Sequence, residues 1–176
     1  MSEKKKINIA NELYELLDSV ILSAVCVLLV FTFIFRVFIV SGPSMFPTLE
    51  NGDRLIVSNL FYTPEQGDII CFYSDVKSEI LVKRVIAVAG QTVDIDSTHN
   101  VTIDGVRLQE DYIRSGITYE KTMSLPYTVK EDEVFVMGDN RTDSLDSRYA
   151  EIGAVDNNDI LGKLVIRLFP NFGKVR

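Results

Sequence analysis

Three short segments of this chain hold residue types that can do chemistry together. The first is Ser41-Gly-Pro-Ser-Met-Phe-Pro-Thr-Leu49. Two prolines and a glycine bracket Ser44, which argues against a regular helix or central strand and predicts a rigid, sharply turned backbone. A serine on such a turn projects its hydroxyl and leaves its own N–H free to donate to an oxyanion, as nucleophilic catalysis requires. A proline-rich linker is the plainer reading of the same residues, and the segment alone does not decide between the two.

A nucleophilic serine needs a base. The single histidine, His99, lies in the polar stretch Asp96-Ser-Thr-His-Asn100 before a hairpin signal, a solvated-loop setting. A lysine can serve instead if it is held neutral, and burial does that by disfavouring the charged form. In Leu81-Val-Lys-Arg-Val-Ile-Ala-Val88, strand alternation puts Leu81, Lys83, Val85 and Ala87 on one face, with Lys83 its only polar member. Arg84, on the other face, stays protonated and cannot be a base. Lys163 shares a strand face with Arg167 and is expected to be exposed, while Lys77, Lys121, Lys130 and Lys174 fall in polar stretches. The competing reading of Lys83 is an edge-strand lysine that blocks aggregation.

The third segment, Val136-Met-Gly-Asp-Asn-Arg-Thr-Asp-Ser-Leu-Asp-Ser-Arg148, starts at a strand end. It crowds Asp139, Arg141, Asp143, Asp146 and Arg148 with Asn140, Ser144 and Ser147. The residue order of a calcium loop is absent, and the interleaved arginines argue against a cation site. A polar turn cross-linked by Asp–Arg pairs fits better.

The elements that would position these residues follow from hydropathy. Of 176 residues, 47% are hydrophobic, and mean hydropathy is positive despite 24% charged residues. The excess is concentrated between Leu16 and Val40, with no charge between Asp18 and Arg36. As a helix that stretch is about 37 Å long, against a hydrocarbon core of about 30 Å. A buried core helix would show a polar stripe, and a cleaved secretory signal would have a shorter apolar core followed by a small-x-small site. Phe-Ile-Val-Ser-Gly-Pro follows instead, so the segment reads as an uncleaved signal-anchor. Lys4, Lys5 and Lys6 before it predict a cytoplasmic N-terminus. Residues 1–15 are then a cytoplasmic segment, 16–40 the membrane helix and 41–176 an extracytoplasmic domain in a single-pass protein of the cell membrane.

Charges through Val40 cancel, so the net charge of −7 belongs to the part from Ser41 onward. An acidic domain without a basic cluster is a poor nucleic-acid binder. Cys26 and Cys71 supply neither a disulfide framework nor a metal pair. Beyond Ser41 short β-branched runs alternate with turn signals: Asn51-Gly52, Gln66-Gly67-Asp68, Gly90, Asp104-Gly105 and Gly138-Asp139-Asn140. The expected architecture is a mostly antiparallel β domain behind one N-terminal transmembrane helix.

The three segments, in this order behind an anchor, resemble bacterial type I signal peptidases, the Ser/Lys proteases that remove signal peptides from exported preproteins. The resemblance rests on Ser44-Met45-x-Pro47-Thr48-Leu49, Lys83-Arg84-Val85-Ile86 and Gly138-Asp139-Asn140-Arg141-x-x-Ser144-x-Asp146-Ser147-Arg148. It implies a fold shared with self-cleaving repressors, Ser44 as nucleophile and oxyanion N–H, and Lys83 as general base. It further implies that Ser144 hydrogen-bonds the lysine, that Asp146 and Arg148 buttress the site, and that Asp139 and Arg141 shape it. The small size and single anchor are similar to the Gram-positive form. The implied partners are secretory preproteins and the lipid bilayer, with no cofactor, no metal and a monomeric state. Cleavage is expected after small residues, with Met45, Phe46, Phe61 and Tyr62 dipping into the membrane interface. In this sequence Gly42 stands where some relatives carry a second oxyanion serine, and Tyr149-Ala-Glu-Ile precedes Gly153. The alternatives are a membrane-tethered β-rich binding protein without catalysis, in which Ser44 and Lys83 lie far apart, and a self-cleaving Ser/Lys protease.

Overall fold

The computed structural model describes residues 9–114 and 117–175; Lys4, Lys5 and Lys6 lie outside them. The chain divides into two units, residues 1–35 and 36–176. The first is helix α1, Ile9–Ile34. Within it, Asn11–Thr32 has a mean hydropathy of 2.1 and none of it is buried against protein. Its hydroxyls are satisfied inside the helix: Ser19, Ser23 and Thr32 each donate to the carbonyl four residues back at 2.9, 2.7 and 2.7 Å. That local bonding leaves these hydroxyls needing no partner outside the helix.

The apolar run does not stay helical to Val40 as expected. It switches at Phe35 to strand β1, Phe35–Ile39, so Arg36 belongs to a strand rather than to the end of the helix. The residues Phe-Arg-Val-Phe-Ile are aromatic or β-branched except for the arginine, a composition that favours a pleated edge once a partner strand is available.

The second unit is β-rich. Its strands are β2 (Arg54–Ser58), β3 (Ile69–Ser74), β4 (Glu79–Val88), β5 (Thr92–Ile95), β6 (Val101–Ile103), β7 (Val106–Arg107), β8 (Tyr127–Thr128), β9 (Glu133–Met137), β10 (Val155–Asp156) and β11 (Ile160–Phe169). A seven-stranded sheet has the order β1-β2-β11-β3-β4-β9-β10, and a four-stranded sheet the order β7-β6-β5-β8. The recorded pairings are antiparallel. The Asp104-Gly105 signal closes the β6–β7 hairpin, with Ile103 opposite Val106.

Alternation divides the core. On β3, Ile69 and Cys71 join a cluster with Val40, Met45, Leu49, Leu55 and Val57, while Ile70 and Phe72 join Val85, Val134 and Val136 on the other face. On β9, Phe135 and Met137 pack instead with Ile86, Val93 and Val101 of the small-sheet side. Strands buried on both faces read as continuous apolar runs rather than alternating ones. That is the pattern of Ile69–Phe72 and Val134–Met137.

Two features of the large sheet position the site. Strand β9 ends at Met137, opposite Arg84, so the Glu79–Lys83 part of β4 extends beyond it with one edge unpaired. Strand β11 pairs with both β2 and β3 and bulges around Gly162. Gly162 has φ +144°, and a Cβ there would lie 2.6 Å from the Ser58 carbonyl. Gly162→Ala is therefore expected to destabilise the fold by about 1–3 kcal/mol, the usual cost of forcing a packed backbone apart. Urea unfolding of the two forms, with the slope unchanged and the midpoint lowered, checks this.

Candidate active site

Ser44 sits in a turn that the rest of the domain clamps from several sides. Within the turn, Phe46 N–H donates to Pro43 O at 3.0 Å and Leu49 N–H to Met45 O at 2.9 Å. Asn51 Oδ1 accepts from Gly42 N–H at 3.0 Å. From the turn after β9, Asn140 donates its N–H to Ser44 O at 3.0 Å and its Nδ2 to Pro43 O at 3.1 Å. From β11, Arg167 donates to Thr48 O at 3.3 Å and to Asp53 at 3.1 Å. Met45 and Leu49 anchor the turn in the core, 1% and 0% exposed. The Ser44 N–H donates to no protein group among the described residues.

Lys83 reaches the same turn from β4. Its register opposite Ile70 puts it on the apolar face that alternation predicts, and it is 2% exposed. Its Nζ lies 2.8 Å from Ser44 Oγ and 3.0 Å from Val82 O. Burial lowers the Lys83 pKa from 10.5 to about 8; Asp146, Glu79 and Asp139 pull the other way, and Arg148 assists burial. An amine this easily deprotonated, at hydrogen-bond distance from a hydroxyl, can accept the hydroxyl's proton. His99 lies in the β5–β6 turn, exposed and stacked on Tyr119 with ring centroids 4.9 Å apart. Lys163 is partly exposed and paired with Asp68 at 2.5 Å.

Three arginine–carboxylate pairs hold the turn after β9. Arg148 and Asp146 bond at 2.8 Å through Nε and again through Nη2, both side chains fully buried. Burial alone would raise the Asp146 pKa, but the Arg148 guanidinium and the Gly138 N–H hold it below the usual carboxylate range. Asp139 does not pair within its own turn. It takes both Nε and Nη2 of Arg84 at 2.8 and 2.7 Å and accepts from the Thr48 hydroxyl. Arg141 pairs with Glu110, donates to Thr118 Oγ1 at 2.8 Å, and holds Gly138 O at 3.1 Å.

Gly138 is where this turn meets the serine. A Cβ there would overlap the Ser44 carbonyl and the Ser144 hydroxyl, so only glycine permits the approach. Ser144 is 7% exposed beside that contact. The implied hydrogen bond from the lysine to Ser144 is not formed: Lys83 Nζ bonds to Ser44 and Val82, while the Ser144 hydroxyl lies on the Asp146 side and helps hold that carboxylate's pKa down. The interface expectation also changes. Met45 is core and Tyr62 donates to Asp68 at 2.9 Å, whereas Phe61 is 98% exposed.

A groove of about 200 Å³ runs past Ser44 and Lys83, lined by Phe38–Ser41, Met45 and the unpaired edge Glu79–Val82. The sequence singled out neither Glu110 nor Tyr112. No spacing in the sequence signals them: Asp143 is a nearer acid for Arg141, and the pairing with Glu110 spans 31 positions.

A buried lysine is a stability cost at neutral pH, where burial penalises the charged form that still predominates below pH 8. Because its folded pKa lies below its unfolded value, the penalty is fully present below pH 8 and disappears as pH rises through 10.5. Lys83→Met should therefore raise the unfolding free energy by up to about 3 kcal/mol at pH 7, converting the pKa difference at about 1.4 kcal/mol per unit. The gain over wild type should shrink at pH 10 or above. Denaturant melts at the two pH values check this.

The family model described as signal peptidase, peptidase S26, matches residues 13–169. A signal peptidase I of Bacillus licheniformis is 35% identical over 100% of this chain and 98% of its own length. One from the cyanobacterium Leptolyngbya laminosa is 36% identical over 91% of this chain and 81% of its own. The crystal structure of a signal peptidase I from Enterococcus faecalis superposes with a TM-score of 0.50 at 33% identity, covering 59% of this chain and 98% of that one.

Proposed function

The chain belongs to the peptidase S26 family of signal peptidases, and from that premise we propose how its residues carry out the reaction. It is a serine endopeptidase that removes signal peptides from exported preproteins. Neutral Lys83 takes the proton of Ser44 as the hydroxyl attacks the scissile carbonyl. The protonated lysine then delivers that proton to the leaving amine. An acyl-enzyme on Ser44 remains, and Lys83 activates the water that hydrolyses it. The Ser44 N–H donates to the oxyanion. The single observation that carries this reading is the 2.8 Å contact between Lys83 Nζ and Ser44 Oγ, in a site that holds the amine near pKa 8.

The substrate adds as an extended strand along the unpaired Glu79–Lys83 edge of β4, so that backbone hydrogen bonds align it and alternate side chains enter the groove. The groove is walled by Phe38, Val40, Ile80 and Val82, so it presents an apolar surface to the side chains before the cut, and the likeness to signal peptidases favours short ones there. The enzyme accordingly cleaves after small residues.

Helix α1 spans the membrane. At about 1.5 Å per residue the apolar part of the helix, from residue 16 to its end at Ile34, is about 28 Å long, close to a core of about 30 Å. Lys4, Lys5 and Lys6 keep the N-terminus cytoplasmic, which puts residues 41–176 on the outer face as a monomer, with Phe61 at the interface. Asp139, Arg141, Ser144, Asp146 and Arg148 support the dyad without touching substrate.

Ser44→Ala and Lys83→Ala should each cut preprotein processing by about a thousandfold or more, the scale of a lost nucleophile or general base, while the protein still inserts and folds. Near-full activity in Lys83→Ala would refute the dyad. The rate should also climb tenfold per pH unit up to a plateau above pH 8, because protonated Lys83 cannot accept the serine proton. A pH–kcat/KM profile on a synthetic signal-peptide substrate reads this limb directly.

A further inference from the structure

The connection from β7 to β8 of the small sheet contributes Glu110, Tyr112 and Thr118 to the far side of the turn that holds Ser44. Glu110 is paired with Arg141 where both side chains are nearly or fully buried, 7% and 0% exposed. Glu110 uses both oxygens: Oε2 accepts from Arg141 Nη1 at 3.0 Å and Oε1 accepts from Nη2. The same carboxylate accepts the Tyr112 hydroxyl at 3.1 Å. The Tyr112 ring in turn lies 4.0 Å under the guanidinium carbon of Arg84. Two residues of one segment thus grip two different arginines.

Each arginine leads to the serine. Arg141 donates to Gly138 O at 3.1 Å and so fixes the peptide that leads into Asp139 and Asn140. Asn140 N–H then bonds to Ser44 O at 3.0 Å. Arg84 holds Asp139 through two hydrogen bonds, and Asp139 accepts from Thr48 at the other end of the serine turn. Neither Glu110 nor Tyr112 lines the groove beside Lys83, so neither is placed to touch substrate there. A buried carboxylate bonded to a planar guanidinium through two oxygens fixes orientation as well as distance. A displacement of about 1 Å at the nucleophile can cost on the order of a hundredfold in rate.

We propose that Glu110 and Tyr112 are positioning residues for the reaction: they lock Arg141 and Arg84, and through them the Gly138–Asn140 turn, against Ser44. This rests on the reading of Ser44 and Lys83 as the dyad. The prediction is specific to turnover. Loosening the lock displaces the serine turn without changing the groove, so kcat falls while KM holds. Lys83 keeps its burial and its neighbours Asp146, Glu79 and Asp139, so the pH limb stays near 8.

The test uses the full-length enzyme with Glu110→Ala, Glu110→Gln, Tyr112→Leu and Tyr112→Phe, alongside Ser44→Ala. Rates are taken per folded molecule, below the unfolding transition of each variant. Glu110→Ala and Tyr112→Leu should lower kcat by about ten- to a hundredfold with KM within about twofold. Glu110→Gln, which keeps an acceptor but no charge, should fall in between. Tyr112→Phe, which keeps the ring beneath Arg84, should recover most of the loss. Glu110→Ala combined with Arg141→Ala should be no slower than the slower single variant, since both break one path. The proposal is overturned if Glu110→Ala and Tyr112→Leu fold and turn over at the wild-type rate, if the whole loss lies in KM, or if it disappears once rates are corrected for folded fraction. If Glu110→Ala does not fold, Glu110→Gln and Tyr112→Leu decide on the same criteria. Activity surviving in Ser44→Ala would instead sink the dyad, whatever the Glu110 variants do.

Discussion

An ammonium group does not tolerate burial, and the site is organised around that fact. Lys83 sits on an apolar strand face with its Nζ at hydrogen-bond distance from Ser44 and from Val82 O. Removal from water lowers its pKa to about 8. Acids nearby would restore the charge, and Asp146 is the strongest of them. Arg148, bound to Asp146 through two hydrogen bonds, offsets part of its field. The same logic governs Asp139, whose charge is taken by Arg84. Each buried carboxylate of the turn after β9 is thus matched to a guanidinium, as buried charges must be. Among the described residues of the site Lys83 has no ion pair, the state its proposed role as base requires.

Those pairs also explain the domain's connectivity. The serine turn comes just after β1, the lysine from the middle of the large sheet, and the paired turn from the end of β9. Gly138 lets the last of these touch the first, and Asn140 bonds it there. Glu110 and Tyr112 reach in from the connection between β7 and β8 of the small sheet. A sheet interior is stiff enough to hold such groups to fractions of an ångström, which loops alone do not manage. The early end of β9 leaves the β4 edge beside Lys83 without a partner strand among the described residues, the edge on which the proposed mode of substrate binding depends.

Much of this was legible in the sequence because the informative residues break local rules. Lys83 is a charge on an apolar face, and Ser44 lies between prolines. Gly138–Arg148 concentrates opposite charges in one turn. The β-rich fold followed from turn signals such as Asp104-Gly105, which closes a hairpin as read. What was hidden depended on tertiary pairing. Asp139 and Arg141 are two residues apart, yet their partners are Arg84 and Glu110, 55 and 31 positions away. No spacing rule encodes that. The end of α1 was misplaced because Phe35–Ile39 is as hydrophobic as the helix before it, and only a neighbouring strand makes it β. Ser144 could be matched by motif, but a motif does not state which rotamer the hydroxyl adopts or that Lys83 bonds elsewhere.

The central claim is that burial makes the Lys83 amine easy to deprotonate beside Ser44, and its own titration tests that most directly. With 13C-labelled lysine in the detergent-solubilised full chain, the Lys83 Cε resonance, assigned by its loss in Lys83→Arg, can be followed from pH 6 to 11. The account predicts a midpoint near 8, well separated from the solvent-exposed lysines. A midpoint near lysine's ordinary value of about 10.4 would contradict it, since the fraction of amine free to accept the serine proton at neutral pH would then be on the order of a hundredfold smaller.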